Sequence, residues 1–171
     1  MKPTVTIRPA RRDDCPDILE IYNEAVLNST ASYDYEPSTL ERRIEWFDSH
    51  RQGNYAIWVA EKESGQAGHR VVGWSSLNPY HDRPGYRFTA GNSIYVAPGW
   101  RGQGLGNQLI PPLITSARER GLHAIIAVID AGNEVSLRLH ARHGFERVAY
   151  FREVGFKFGR WLDVIDMQLL L

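Results

Sequence analysis

Thr4-Val5-Thr6-Ile7-Arg8 alternates polar and apolar positions with a period of two, which predicts a short strand. Asp13 and Asp14 then offer an N-cap with Pro16 close behind, and Ile18, Leu19, Ile21, Tyr22, Ala25 and Val26 recur at helical spacing. A polar, aromatic loop follows, Asn28 to Pro37. Ser38-Thr39-Leu40-Glu41 has the form of a capping box opening a second helix, with Leu40, Ile44 and Phe47 on one face. Tyr55 to Ala60 and Arg70 to Leu77 predict strands, and the Ser64-Gly65 and Gly68 between them predict a hairpin. Tyr86 to Val96 reads as a long strand interrupted at Gly91-Asn92, which predicts a bulge or a close backbone approach. The turn Pro98 to Gly106 opens a helix that Gly121 closes, and Pro111-Pro112 inside it predict a kink. A buried strand (Ala124 to Ile129), a helix (Asn133 to His143) and a closing pair of strands (Phe145 to Phe158, Trp161 to Leu171) complete the chain. This order predicts one α/β domain over residues 1–171, built around a mixed sheet.

Composition narrows the class without naming a partner. The 171 residues carry 20 Lys+Arg against 20 Asp+Glu, so the basic excess expected of a nucleic-acid binder is missing. A chain of this length buries roughly 70% of its unfolded surface and needs no staples. The single cysteine, Cys15, excludes an internal disulfide framework and a cysteine-based zinc site. No run approaches the roughly 18 apolar residues of a membrane span. Met1 to Thr6 has no apolar stretch of the kind export signals carry, so the expectation is a cytoplasmic protein.

The chemistry concentrates first in Arg101-Gly102-Gln103-Gly104-Leu105-Gly106, between a strand and a helix. Glycines there allow close backbone approach, and free amides at a helix N-terminus attract anions such as a pyrophosphate. A plain tight turn is the alternative. A Walker A loop is excluded, because Leu105-Gly106 stands where Lys-Ser/Thr is needed, and a dinucleotide fingerprint is excluded by Asn107.

Val96 followed by Arg101-x-x-Gly104-x-Gly106 resembles the acetyl-coenzyme A loop of the GCN5-related N-acetyltransferases (GNAT). Asn133-x-x-Ser136-x-x-x-His140-x-x-x-Gly144-Phe145 resembles that family's second element. Ile21 to Val26, Asn92 to Val96 and Lys157 to Asp163 are similar to the phosphinothricin and methionine sulfoximine acetyltransferase branch. The resemblance implies a splayed sheet of about seven strands flanked by helices, with acetyl-CoA as cosubstrate and no metal. It also implies a small amine acceptor and a homodimer with Phe156 to Asp163 near the partner. Ile94, Tyr95, Val96, the 101–106 turn, Asn133, Ser136 and His140 become the expected cofactor contacts, with an oxyanion hole along 94–96.

Asn133, Ser136 and His140 share one helical face, while Val135, Leu137 and Leu139 pack elsewhere. Asn133 serves equally well as an N-cap, and a lone helical histidine can be purely structural. His140 and Tyr95 are the candidate catalytic side chains. The branch's glutamate, which accepts the ammonium proton, is replaced here by Gly91. Water and backbone carbonyls, or another group such as His81 or Asp82, are the substitutes, unless the substrate itself differs. The acceptor pocket is expected from Tyr33-Asp34-Tyr35, Tyr80-His81-Asp82-Arg83, Tyr86, Thr89 and Gly91, with Arg83 holding an anionic group. Lys157 and Arg160 could do the same or simply lie on a surface hairpin. Two other readings stay open: acetylation of peptide or protein amines, and an acetyl-CoA-binding module without catalysis.

Overall fold

Strands and helices alternate into one mixed sheet with helices on both faces in the computed structural model, which describes residues 4–63 and 71–171. The expected connection from Ser64 to His69 and the strand start at Arg70 lie outside the described residues, as do Met1 to Pro3. The strands are β1 (Val5–Pro9), β2 (Ile57–Lys62), β3 (Val71–Pro79), β4 (Thr89–Val96), β5 (Ala124–Asp130), β6 (Glu146–Lys157) and β7 (Arg160–Leu170). They run β1-β2-β3-β4-β5-β7-β6 across the sheet. Among the described residues only β4 and β5 pair in parallel, because the helix α3 (Leu105–Glu119) carries the chain back across the sheet between them.

Strand alternation sorts the core into two layers. Trp74 and Tyr95 pack with Cys15, Ile18 and Ile21 of α1 (Cys15–Asn28) and Phe47 of α2 (Leu40–Gln52). On the opposite face Leu77, Ala90 and Ile125 pack with Ile110, Leu113 and Ala117 of α3 and Leu137 of α4 (Glu134–Arg142). Cys15 is fully buried and its thiol is pushed up to about 11 by that burial, so it is a packing residue.

Several local expectations are corrected. Asp14 does not cap α1 with its side chain; it takes a bidentate pair from Arg8 at 2.7 and 2.8 Å and the Arg11 amide at 2.7 Å. The α2 cap is Thr39, accepting from the Arg42 amide at 3.3 Å, one residue later than the capping-box reading. The buried stripe of α2 is Arg43, Phe47 and His50, which leaves Leu40 exposed. β4 begins at Thr89, because Pro84–Tyr86 closes a 3-10 turn in which the Tyr86 amide donates to the Arg83 carbonyl. There is no bulge at Gly91: the β3–β4 register runs unbroken from Gly73↔Val96 to Pro79↔Ala90. A Cβ at Gly91 would meet nothing nearer than 3.9 Å, so no close approach requires the glycine either. α3 continues as a helix from Leu105 to Glu119 with Pro111 and Pro112 inside it, so the prolines do not end it.

Candidate active site

β4 pairs with β5 only from Thr89 to Gly91, whereas β5 continues against β7 along its whole length. Beyond Gly91 the two strands separate and enclose a slot of about 90 Å³. Its walls include Asn92 to Tyr95, Ala127 to Asp130, Asn133, Ser136 and His140. The Ala97 amide donates to the Val72 carbonyl at 3.0 Å, which fixes the alternation of β4. Residues 91, 93 and 95 therefore turn their backbone groups to β3, and residues 92, 94 and 96 turn theirs to the open edge. The expected row of donors along 94–96 is thus narrowed to the amides of Ile94 and Val96. Tyr95 contributes to the slot as a wall, since its amide is directed at β3.

The end of β4 leads straight into the glycine-rich turn. Gly102 and Gly104 adopt left-handed φ of 73° and 84°, and Gly104 is the N-cap of α3. The Asn107 amide already donates to the Gly104 carbonyl at 3.1 Å, so the amides of Leu105 and Gly106 are the first-turn donors without an intrahelical acceptor, which makes this end of α3 attractive to an anion. Arg101 is braced there: its Nε donates to the Val96 carbonyl at 3.0 Å and its terminal nitrogen pairs with Glu24 of α1. Gln103 folds its exposed side chain onto the Gly99 carbonyl at 2.9 Å, and the Leu105 side chain is buried, so Leu105 presents only backbone outward. Gly106 sits so close to Leu139 that a Cβ would lie 2.6 Å from it, which brings α3 against α4.

On α4, Asn133 is the N-cap, its Oδ1 accepting from the Ser136 amide at 3.1 Å, and it lines the slot as well. Val135 is exposed, not packed as expected, while Leu137 is buried. His140 is 3% exposed. Its Nδ1 lies 2.8 Å from the Ser136 carbonyl, which can only accept, so Nδ1 carries the proton and Nε2 is left to accept from Asn92 Nδ2 at 3.0 Å. Burial holds this imidazole below its ordinary value, keeping it neutral, and both nitrogens are engaged.

A second cavity of about 290 Å³ opens under the α1–α2 face, between α2, β3 and β4. Tyr22, Asp34, Arg42, Arg43, Trp46, Trp74, Ser76 and Asn78 line it, and it shares Ser93 and Tyr95 with the slot. The Arg43 guanidinium is buried over three rings, 4.4 Å from Tyr22, 4.6 Å from Trp46 and 5.6 Å from Trp74. Ser93 is held by Asn78 Nδ2 at 3.1 Å, and Asn78 Oδ1 is in turn 3.0 Å from His50 Nε2. The Tyr95 ring stacks on Trp74 at 4.8 Å, and its hydroxyl donates to the Ala31 carbonyl at 3.2 Å. Burial raises the Tyr95 phenol well above its ordinary value, so it stays protonated. Among the described residues three buried side-chain atoms lack a hydrogen-bond partner: Arg43 Nε, Trp74 Nε1 and Asn92 Oδ1. All three belong to residues lining one of the two cavities. Two orphan donors on one side and one orphan acceptor on the other are what ligand atoms would satisfy.

Most of the expected acceptor residues are elsewhere. Tyr80, His81 and Tyr86 pack on one another, ring to ring, and His81, Asp82 and Arg83 are exposed outside the cavity wall. Tyr35 donates to the Phe156 carbonyl at 2.6 Å and is exposed; Thr89 lies at the start of β4, outside both linings. Gly91 shares the cavity face of β4 with Ser93 and Tyr95 without being part of the wall. Of the 33–35 loop only Asp34 lines the cavity. Lys157 is buried and donates to the carbonyls of Ser29 and Ser32 at 2.9 and 2.6 Å, so it ties the α1–α2 loop to β6 and is no anion anchor. Arg160 is exposed on the hairpin.

The residues that sequence reasoning missed are Arg42, Arg43, Trp46 and Tyr22. A signal for Arg43 was present, since it stands in helical phase with Phe47 and His50, where a charge has no reason to be unless something buried answers it. No group of three or more His, Cys, Asp or Glu side chains that could hold a metal occurs among the described residues. Nor is any helix of the described residues long and apolar enough to cross a membrane.

With this geometry in hand, residues 16–145 match the model of the acetyltransferase (GNAT) family. The chain is 44% identical over 168 residues to the L-methionine sulfoximine/L-methionine sulfone acetyltransferase of Pseudomonas aeruginosa, covering 98% of this chain and 95% of that one. It is 38% identical to the phosphinothricin N-acetyltransferase of Streptomyces coelicolor, covering 94% and 92% of the two chains. The structure of yncA from Salmonella typhimurium with its cofactor acetyl-CoA superposes with a TM-score of 0.93 at 39% identity, over 98% and 94% of the chains.

Proposed function

This chain belongs to the acetyltransferase (GNAT) family, and from that premise we propose that it moves an acetyl group from acetyl-CoA to the amine of a small amino acid, of the methionine sulfoximine, methionine sulfone or phosphinothricin kind. The observation that carries the reading is the meeting of the two cavities at Ser93 and Tyr95. One cavity can hold the thioester and the other the amine, with β4 between them, so two reactants are brought within reach of one another.

The residues present fit acetyl-CoA as cosubstrate. The 101–106 amides and Arg101 receive the pyrophosphate. Asn92 Oδ1, buried without a partner, suits an amide N–H of the pantetheine arm, and the outward amides of Ile94 and Val96 suit the carbonyl oxygen that gains charge during transfer. Asn133 and Ser136 border the same slot, and His140 positions Asn92 by its hydrogen bond. On the acceptor side Arg43 Nε and Trp74 Nε1 supply donors for an anionic oxygen, so Arg43, not Arg83, is the anchor for a carboxylate, sulfone or phosphinate.

A cavity of about 290 Å³ favours a free amino acid over a peptide, which would need an open groove. The whole of residues 1–171 then works as one catalytic domain. Exposed Phe151 and Phe156 on β6, Phe158 in the turn and Trp161 on β7 support a homodimer through that hairpin, and use of acetyl-CoA supports a cytoplasmic enzyme. The deciding experiment is release of coenzyme A thiol with a panel of amines. Turnover on methionine sulfone or phosphinothricin is expected. Turnover on peptides alone would replace the acceptor, and saturable acetyl-CoA binding with no turnover would replace the enzyme by a binding module.

A further inference from the structure

We propose that Asp34 takes the proton from the acceptor's ammonium group, filling the role left open by Gly91. The inference rests on the cavity under the α1–α2 face being the acceptor site. Asp34 is the sole carboxylate among the described residues in the wall of that cavity. His81 and Asp82, the sequence-level substitutes, stand exposed outside it.

The surroundings of Asp34 suit a base. Tyr22 on α1 donates its hydroxyl to Asp34 Oδ2, while Oδ1 has no hydrogen-bond partner among the described residues. Burial raises the Tyr22 phenol, so Tyr22 keeps its proton and holds the carboxylate without competing for the amine's proton. Arg42 and Arg43 of α2 share the cavity wall, Lys157 of β6 acts on Asp34 through its charge, and Tyr95 of β4 is neutral. Positive charge from α2 and negative charge from Asp34 in one wall match a zwitterion, with its carboxylate at Arg43 and its ammonium at Asp34.

The step balances within these groups. The ammonium gives one proton to the Asp34 carboxylate, and the freed lone pair forms the C–N bond to the thioester carbonyl carbon as the carbonyl electrons move to oxygen. Collapse of that intermediate breaks the C–S bond, and the second amine proton leaves with the sulfur as coenzyme A thiol. Asp34 is exposed and returns its proton to solvent. Ammonium plus thioester becomes amide, thiol and one free proton.

The test is thiol release with methionine sulfone across pH for the wild type and three variants, Asp34→Asn, Asp34→Glu and Asp34→Asn/Gly91→Glu. Asp34→Asn is expected to lose about 100-fold in kcat/KM near pH 7, the range for one general base. The loss should shrink above the amine's own pKa, where free amine needs no base, with acetyl-CoA affinity by calorimetry and Tm unchanged. Asp34→Glu should keep the wild-type pH profile. A Cβ at Gly91 meets nothing nearer than 3.9 Å and the residue lies on the cavity face of β4, so the double variant should regain activity. An Asp34→Asn enzyme with wild-type kcat/KM, or with a loss equal at every pH, overturns the assignment while leaving the acetyltransferase reading intact. A wild type that binds acetyl-CoA but acetylates no amino acid removes that reading, and this inference with it.

Discussion

Gly155 of β6 lies against the ring of Tyr33: a Cβ at that glycine would stand 2.2 Å from Tyr33 Cε2. The ring is thereby seated on β6, and its hydroxyl reaches Asp130 Oδ2 at 3.1 Å. Tyr35 and Lys157 tie the same loop to β6, each donating from its side chain to backbone carbonyls of the other segment. A loop held at so many points can present Asp34 to the cavity in one position. Gly155→Ala must displace the ring, at a cost of about 1–3 kcal/mol as for other overpacked sites. Urea denaturation should report that loss, and the acceptor KM should rise while the acetyl-CoA KM stays.

Arg43→Met removes the buried cation and keeps the aromatic packing. A charge-assisted hydrogen bond is worth about 1.5–3 kcal/mol, so the acceptor KM should rise on the order of 10- to 100-fold with acetyl-CoA affinity unchanged. The protein should stay folded, because burial already works against the charge of Arg43. Arg83→Ala, exposed and outside the cavity, should leave both constants as they are. An acceptor KM that responds to Arg83 and ignores Arg43 would move the anion site to the other loop.

Arg101→Ala should weaken acetyl-CoA binding about tenfold, the effect of one exposed charge on a phosphate, in a protein that still folds. Replacing Gly104 by leucine should weaken it more, since φ of 84° disfavours any side chain at the N-cap of α3. Calorimetric titration with acetyl-CoA reads both effects. Unchanged affinity in folded variants would separate the turn from the cofactor.

His140 makes a pH prediction for stability. Its folded value lies below the ordinary 6.5, so the unfolded chain binds the proton more tightly. The stabilising contribution is complete above the unfolded value near 6.5 and is lost as pH falls below it toward the folded value. His140→Gln should flatten that slope in denaturation curves, leaving the part from His143, which is depressed as well. Because both ring nitrogens are engaged, the pH dependence of kcat should survive the change, while the acetyl-CoA KM rises through loss of the Asn92 contact. A vanished pH-rate limb would instead make the ring an acid or base.

The order of elements was legible in the chain because periodicity and caps are local: the turn at 101–106, the helix closed by Gly121 and the strand 124–130 all stand where the pattern puts them. The slot and turn proposed for the cofactor were legible for the same reason. Their candidate donors are backbone amides fixed by a strand, a glycine turn and a helix start, and all of those are written in consecutive residues. Tertiary structure alone decided the proposed acceptor cavity. Asp34 and Arg43 are far from Ser93 in sequence, and the three share a wall only because the β3–β4 register and the packing of α2 on Trp74 bring these elements over one spot. Alternation along β4 made the last choice. The splay after Gly91 leaves one edge of that strand unpaired, so its even-numbered backbone groups face the slot beside β5 while the side chains of Ser93 and Tyr95 wall the cavity under α2. No pattern in the linear sequence states where two strands will part.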